Sequence, residues 1–140
     1  MPAKILIFFS ATFMFSFYLL ATPSQNIQQK IPVTTSQQLH AALRQANKVG
    51  NMQIILADGM YTTQKTLIVA ADNISLMSKS GNRNSVVISG RGMRKTKGVD
   101  NLIRVSGKHF TLDGMTLQQA GNHLIQIAGE QNADYPTLRN

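Results

Sequence analysis

Between Lys79 and Lys108 the chain carries eight basic residues (Lys79, Arg83, Arg91, Arg94, Lys95, Lys97, Arg104 and Lys108) and one acid, Asp100. A guanidinium can meet a carboxylate through two parallel hydrogen bonds. A basic face also draws polyanions by its summed field. The chemistry on offer is anion recognition, and the candidate contact residues are Arg83, Arg91, Arg94, Lys95, Lys97 and Arg104. Arg104 stands between Ile103 and Val105, so strand alternation turns it outward. The whole chain shares the bias: 140 residues hold 14 Lys and Arg against 6 Asp and Glu, a formal net charge of +8. A solvated basic surface with no partner is the competing reading of the same charges.

The other chemistry-bearing residues are sparse. Asp58, Asp72, Asp100, Asp113, Glu130 and Asp134 form no tight cluster along the chain. Ca²⁺ takes roughly six to eight oxygen ligands, several of them carboxylates, so no metal site is read here. Asp58 and Asp113 each precede a glycine and read as turn residues. His109 and His123 each lie at a loop edge before an apolar strand. An imidazole can act as a base near neutral pH, but neither has a partner that the sequence names. His40 falls on the polar side of a helix and reads as a surface residue. There is no cysteine, no Gly-rich phosphate loop and no GxSxG elbow. The catalytic residues are unassigned.

The elements that must position these groups begin after an unusual leader. In residues 1–24, Lys4 precedes an apolar run from Ile5 to Leu20 that only Ser10, Thr12 and Ser16 interrupt, followed by Ala21-Thr22-Pro23-Ser24. That layout is a secretory signal peptide, with an uncleaved membrane anchor as the alternative. Either way the rest is expected to be exported, to the periplasm or beyond the cell. There the partner of a basic face is acidic polysaccharide rather than nucleic acid, and membrane contact comes only through an uncleaved signal segment. Without cysteine, no disulfide framework supports the fold. Residues 25–35 are polar, contain Pro32 and read as a linker. Residues 36–50 read as a helix: Ser36 as N-cap, an apolar stripe at Leu39, Ala42, Leu43, Ala46 and Val49, and Gly50 as terminator.

From residue 51 the period changes to two. The pairs Ile54/Leu56, Leu67/Val69, Ile74/Leu76, Val86/Ile88, Ile103/Val105, Phe110/Leu112, Met115/Leu117 and Ile125/Ile127 each put two apolar side chains on one face of a strand. They also repeat. Leu67/Val69 falls on Ile103/Val105 at a shift of 36, and Ile103/Val105 on Ile125/Ile127 at a shift of 22. Two seven-residue insertions, SKSGNRN and RGMRKTK, account for the difference. A short repeat with three apolar pairs per period is the pattern of an all-β solenoid, whose turns bury a core only by stacking. The expected internal columns are Leu67–Ile103–Ile125, Ile74–Phe110 and Ile54–Val86–Met115. An antiparallel sandwich is the alternative. The amphipathic helix suits the exposed edge of the first turn. The other end shows no such cap, so a fragment of a longer coil, or one that pairs with something there, is expected.

The helix from Ser36, then IILADGMY, NISLMSKSGNRNSVVISG, LIRVSGKHFTLDGMTL and HLIQIAGE, together resemble exported right-handed parallel β-helix proteins of the pectate-lyase-like superfamily. The likeness covers roughly residues 33–140. It implies a right-handed parallel β-helix with an N-terminal capping α-helix, about three turns in residues 51–140 and an open C-terminal end. It also implies a lyase- or epimerase-like protein acting on acidic polysaccharide, with this segment mainly structural and the active site beyond it. A non-catalytic polysaccharide-binding or adhesin-type module is the alternative. Cleaving a uronate polymer by elimination requires a neutralised carboxylate, a base for the C5 proton and an acid for the leaving oxygen. Such lyases often use Ca²⁺ for the first and Arg or Lys as the base, so Ca²⁺ enters by resemblance alone.

Overall fold

A computed structural model describes residues 28–92 and 100–139. The candidate signal, residues 1–24, and the basic residues Arg94, Lys95 and Lys97 lie outside the described residues. Strand β1 (Gln29–Val33) precedes helix α1 (Ser36–Val49). Then follow β2 (Met52–Leu56), β3 (Gly59–Thr62), β4 (Leu67–Val69), β5 (Ile74–Ser78), β6 (Val86–Ser89) and β7 (Asn101–Val105). The chain continues through β8 (Thr111–Asp113), β9 (Thr116–Gln118), β10 (His123–Ile127), a 3-10 turn (Gly129–Gln131) and β11 (Thr137–Arg139).

The N-cap of helix α1 lies one residue earlier than expected. Thr35, not Ser36, holds the extended cap conformation, and its hydroxyl accepts from the Gln38 N–H at 3.2 Å. The Gln38 side chain reaches back to the Thr34 N–H at 2.7 Å, so two donors at the helix entry are satisfied reciprocally. Leu39, Ala42, Leu43 and Ala46 are buried. Val49, the last position of the expected stripe, is 70% exposed, because the chain is already leaving the helix toward Gly50 and β2. Gly50 takes φ +70° and donates its N–H to the Ala46 carbonyl at 2.7 Å. Glycine adopts such a positive φ without the clash a Cβ would bring, and so ends the helix.

Every strand pairing is parallel. The sheets are β1-β2-β5-β8-β11, β3-β6-β9 and β10-β7-β4. From β2 onward each successive strand enters the next of the three sheets in fixed rotation. The described residues therefore form a mostly parallel β structure with one helix.

The registers place the repeat. Leu67, Ile103 and Ile125 stand side by side in one sheet, and Leu76 lies beside Leu112 in another, as the shifts of 22 and 36 require. The expected third column forms only in part: Val86 and Met115, both buried, each stand one residue before the paired Val87 and Thr116, but Ile54 is elsewhere. Ile54 lies beside Leu76 in the five-stranded sheet, and the third sheet joins Tyr61, Ile88 and Leu117. Strand β3 supplies Tyr61 from the stretch that begins at the Asp58-Gly59 pair. In that strand Tyr61 is 1% exposed, while Gly59, Met60 and Thr62 face water, so no apolar pair marks it in sequence.

The segment read as a linker also contributes. Residues Gln29–Val33 form β1, with Val33 buried and Ile31 packed on the core. Pro32 fits because β1 is an edge strand, where a missing N–H breaks no ladder.

One corner recurs. Asn51, Asn73, His109 and Tyr135 all have positive φ, between 48° and 57°. Asn51, Asn73 and His109 immediately precede a strand of the five-stranded sheet or the residue before it, and Tyr135 lies two residues before Thr137. The N–H of Asn51 donates to the Asp72 carbonyl, that of Asn73 to Lys108 and that of His109 to Asp134. The left-handed residue thus turns its amide toward the next copy of the corner.

Candidate functional site

The outer face of the β4–β7–β10 sheet gathers the best-placed charges. Ile103 and Val105 of β7 are buried, and Arg104 between them turns outward, with Ile68 on one side in register and Gln126 on the other. Ile68 is 52% exposed, an apolar step beside a guanidinium. Asn101 donates its side-chain amide to Gln126 Oε1 at 2.7 Å, and Thr66 Oγ1 donates to the Asn101 carbonyl at 2.7 Å. Arg104 lies 4.0 Å from Glu130, with both side chains well exposed. At that distance and exposure the attraction is weak, so the guanidinium stays available to another anion.

Helix α1 extends this face. His40, Leu43, Arg44 and Asn47 line one side of a cleft of about 220 Å³, and Thr66 and Ile68 line the other. The spacing is helical: residues four apart stack on one face, which pairs His40 with Arg44 and Leu43 with Asn47. Asn47 fastens the helix to β4, donating to the Ile68 carbonyl at 2.9 Å and accepting from the Ala70 N–H at 2.8 Å. His40 is half-buried, and its Nε2 lies 2.8 Å from Thr63 Oγ1. Burial, then the nearby Arg44 and Lys65 cations, lower the pKa of His40 from its ordinary 6.5. The sequence reading placed His40 among solvated residues; the structure places it at the base of a cationic cleft. Its partner Thr63 is 23 residues away, but the His40–Arg44 spacing was visible.

The remaining candidates disperse. Arg83 sits on the exposed loop between β5 and β6, on the far side of β6 from Arg91. Its backbone is fixed: Thr116 Oγ1 donates to the Arg83 carbonyl at 2.9 Å, and Ser80 Oγ donates to Asp58 Oδ1 at 2.6 Å in the same loop. Arg91 is exposed just after β6, where the Gly92 N–H donates to the Gln119 carbonyl at 2.8 Å. Arg83 precedes and Arg91 follows β6, whose four residues span about 10 Å. The structure does not unite them in one pocket.

His109 and His123 acquire different roles. His109 is an exposed corner residue whose ring stacks on Tyr135, with centroids 5.1 Å apart. His123 begins β10 and is exposed. Asp113 ends β8 beside Arg139 in register, and Asp58 accepts from Ser80. Among the described residues, no group of three or more His, Asp or Glu gathers to hold a metal ion. The described side chains therefore do not fit the carboxylate-rich shell that Ca²⁺ requires.

A second recess lies on the outside of the five-stranded sheet. Lys30, Gln53, Ile55, Met77, Ser78 and Lys79 line about 300 Å³ there. The Gln53 amide contacts the Met77 sulfur across its floor. Two lysines without an acid in the lining make this recess basic as well. No described helix is long and apolar enough to cross a membrane. No family model, no curated protein and no solved structure matches this chain.

Proposed function

We propose that this chain forms the opening turns of an exported right-handed parallel β-helix and engages an acidic polysaccharide along the outer face of β4, β7 and β10. The rotation of successive strands through three parallel sheets, together with the registers of the repeat, supports the coil. The observation that carries the binding reading is one strip of the surface. His40 and Arg44 line its cleft with Lys65 close to His40, Arg104 stands beside Ile68 and is paired with Glu130, and Ile68 offers an apolar step between cations. A carboxylate-bearing chain suits such a strip because fixed donors meet repeating anions while apolar sugar faces rest on Ile68. The segment's own role is binding and support. A non-catalytic binding or adhesin-type module built on the same coil is the second reading, favoured by the dispersal of the acids.

Retention of the protein on immobilised pectate, a neutral polysaccharide and DNA tests the proposal. Pectate is expected to hold it tightly, with retention falling steeply as salt screens the charges, and Arg104→Gln is expected to weaken it. Equal retention by the neutral polymer, or tighter retention by DNA at matched salt, overturns it. The protein alone is expected to release no unsaturated uronate from pectate, measured as ultraviolet absorbance. A rise in absorbance would place the catalytic groups within these residues.

A further inference from the structure

The cleft between α1 and β4 contains a hydrogen-bond relay that fixes one proton. Thr63 is 2% exposed, and its hydroxyl donates to the Lys65 carbonyl at 2.6 Å. A hydroxyl has one proton to give, so toward the other neighbours Thr63 Oγ1 can only accept. It accepts from the Lys65 N–H at 3.2 Å and therefore also from His40 Nε2 at 2.8 Å. Neutral His40 is then the Nε2–H tautomer, and Nδ1 is the atom that takes up a proton. Among the described residues Nδ1 has no hydrogen-bond partner. The ring borders the cleft with Arg44 from its own helix, and Lys65 comes from the loop between β3 and β4. Neither element, nor β4 with Thr66 and Ile68, brings an acid to His40.

We propose that this cleft is a carboxylate-binding site whose affinity rises on acidification, with Arg44 and Lys65 holding the anion and His40 Nδ1 adding a third donor on protonation. The inference rests on the polysaccharide reading for the carrier of the carboxylate, a uronate residue, and names the regulation of the same surface. The chemistry is reciprocal. A carboxylate placed beside the ring offsets two cations, so its binding favours the imidazolium, and the imidazolium favours its binding. Because one proton is coupled, affinity rises by up to about tenfold per pH unit as pH falls from the complex's transition to the free protein's, and levels below the latter, where His40 is protonated in both states. A coil that carries such a site binds its polymer more firmly in acidified surroundings without any change of fold.

The test follows the His40 ring by nuclear magnetic resonance while pH is varied, with galacturonate or galactose added. Galacturonate is expected to raise the His40 transition and galactose to leave it in place. Arg44→Gln and Lys65→Gln are expected to abolish the rise, and Lys30→Gln, on the outside of the five-stranded sheet, to preserve it. His40→Gln keeps a donor for Thr63 and is expected to remove the strengthening of pectate retention between about pH 8 and about pH 5. A His40 transition indifferent to galacturonate overturns the site. If pectate retention then persists, the polysaccharide reading survives without it. If pectate retention is lost while galacturonate still shifts His40, the site stands and the polymer reading falls.

Discussion

The two ends of the parallel sheets differ in how they are closed. At one end α1 packs against β1, β2 and β4, and its inner face is sealed, with Leu39 1%, Leu43 3% and Ala46 0% exposed. At the other, Leu117, Ile125 and Ile127 are only partly buried, and Leu124 and Leu138 are 44% and 52% exposed. Strands β9, β10 and β11 have no further sheet partner among the described residues. The same inward alternation therefore has different energetic weight at the two ends, because an apolar side chain stabilises in proportion to the area it removes from water.

Truncation mutants measure that difference, and this is the largest effect expected. Leu43→Ala leaves a hole beneath a fully packed helix and should cost about 2–5 kcal/mol. Ile127→Ala removes a side chain that is already partly hydrated and should cost on the order of 1 kcal/mol. Denaturant unfolding midpoints check both. Equal losses would mean that the open end is covered in solution.

The glycines that close the two repeat copies sharpen the same comparison. Gly107 ends LIRVSG and Gly129 ends LIQIAG, and in sequence they are equivalent. At Gly107 a Cβ would meet the Ala71 carbonyl oxygen at 2.1 Å, so backbone must move. At Gly129 nothing lies within 4 Å of that point. Gly107→Ala should cost about 1–3 kcal/mol by overpacking, and Gly129→Ala should stay within about 0.5 kcal/mol. The backbone of Ala70 and Ala71 alone makes Gly107 obligate glycine, and no backbone approaches Gly129 in the same way.

Those copies also show what the sequence could and could not convey. The spacing of Leu39, Ala42, Leu43 and Ala46, ended by Gly50, delimited α1 to within its cap. Alternation and the shifts of 36 and 22 recovered the row Leu67–Ile103–Ile125 through both insertions. Strands β1 and β3 escaped because each presents little more than one fully buried residue, Val33 or Tyr61, and a single inward residue has no period. The corner of left-handed residues was half visible: asparagine tolerates that conformation, and Asn51 and Asn73 are 22 apart, but His109 and Tyr135 gave no such signal. The cleft at His40 escaped for another reason. The hydrogen-bond partner of His40, Thr63, and its second nearby cation, Lys65, come from beyond a helix and two strands, and only folding makes them neighbours.

A pH titration probes the covered end. His40 has a folded pKa below its ordinary 6.5, so as pH drops past that value the unfolded chain binds the proton first. Stability then falls with falling pH, and levels off below the folded pKa. Thermal unfolding of His40→Gln against the parent is expected to remove that part of the slope. A parent curve with the same acid slope as the variant would mean that the ring is as solvated as in the unfolded chain.

The smallest effects belong to the ion pairs near the open end. Arg104–Glu130 at 4.0 Å and Lys108–Asp134 at 3.9 Å join side chains that are each at least 40% exposed. Water screens such pairs and side-chain entropy opposes them, so each contributes about 0.2–1 kcal/mol at most. Glu130→Gln and Asp134→Asn should therefore barely move the unfolding midpoint, and added salt should erase what difference there is. Glu130→Gln has a second consequence on the binding strip: it releases Arg104 and removes an acid, so pectate retention should increase slightly while stability holds. A stability loss comparable to that of Leu43→Ala would instead make the pair part of the closure of that end.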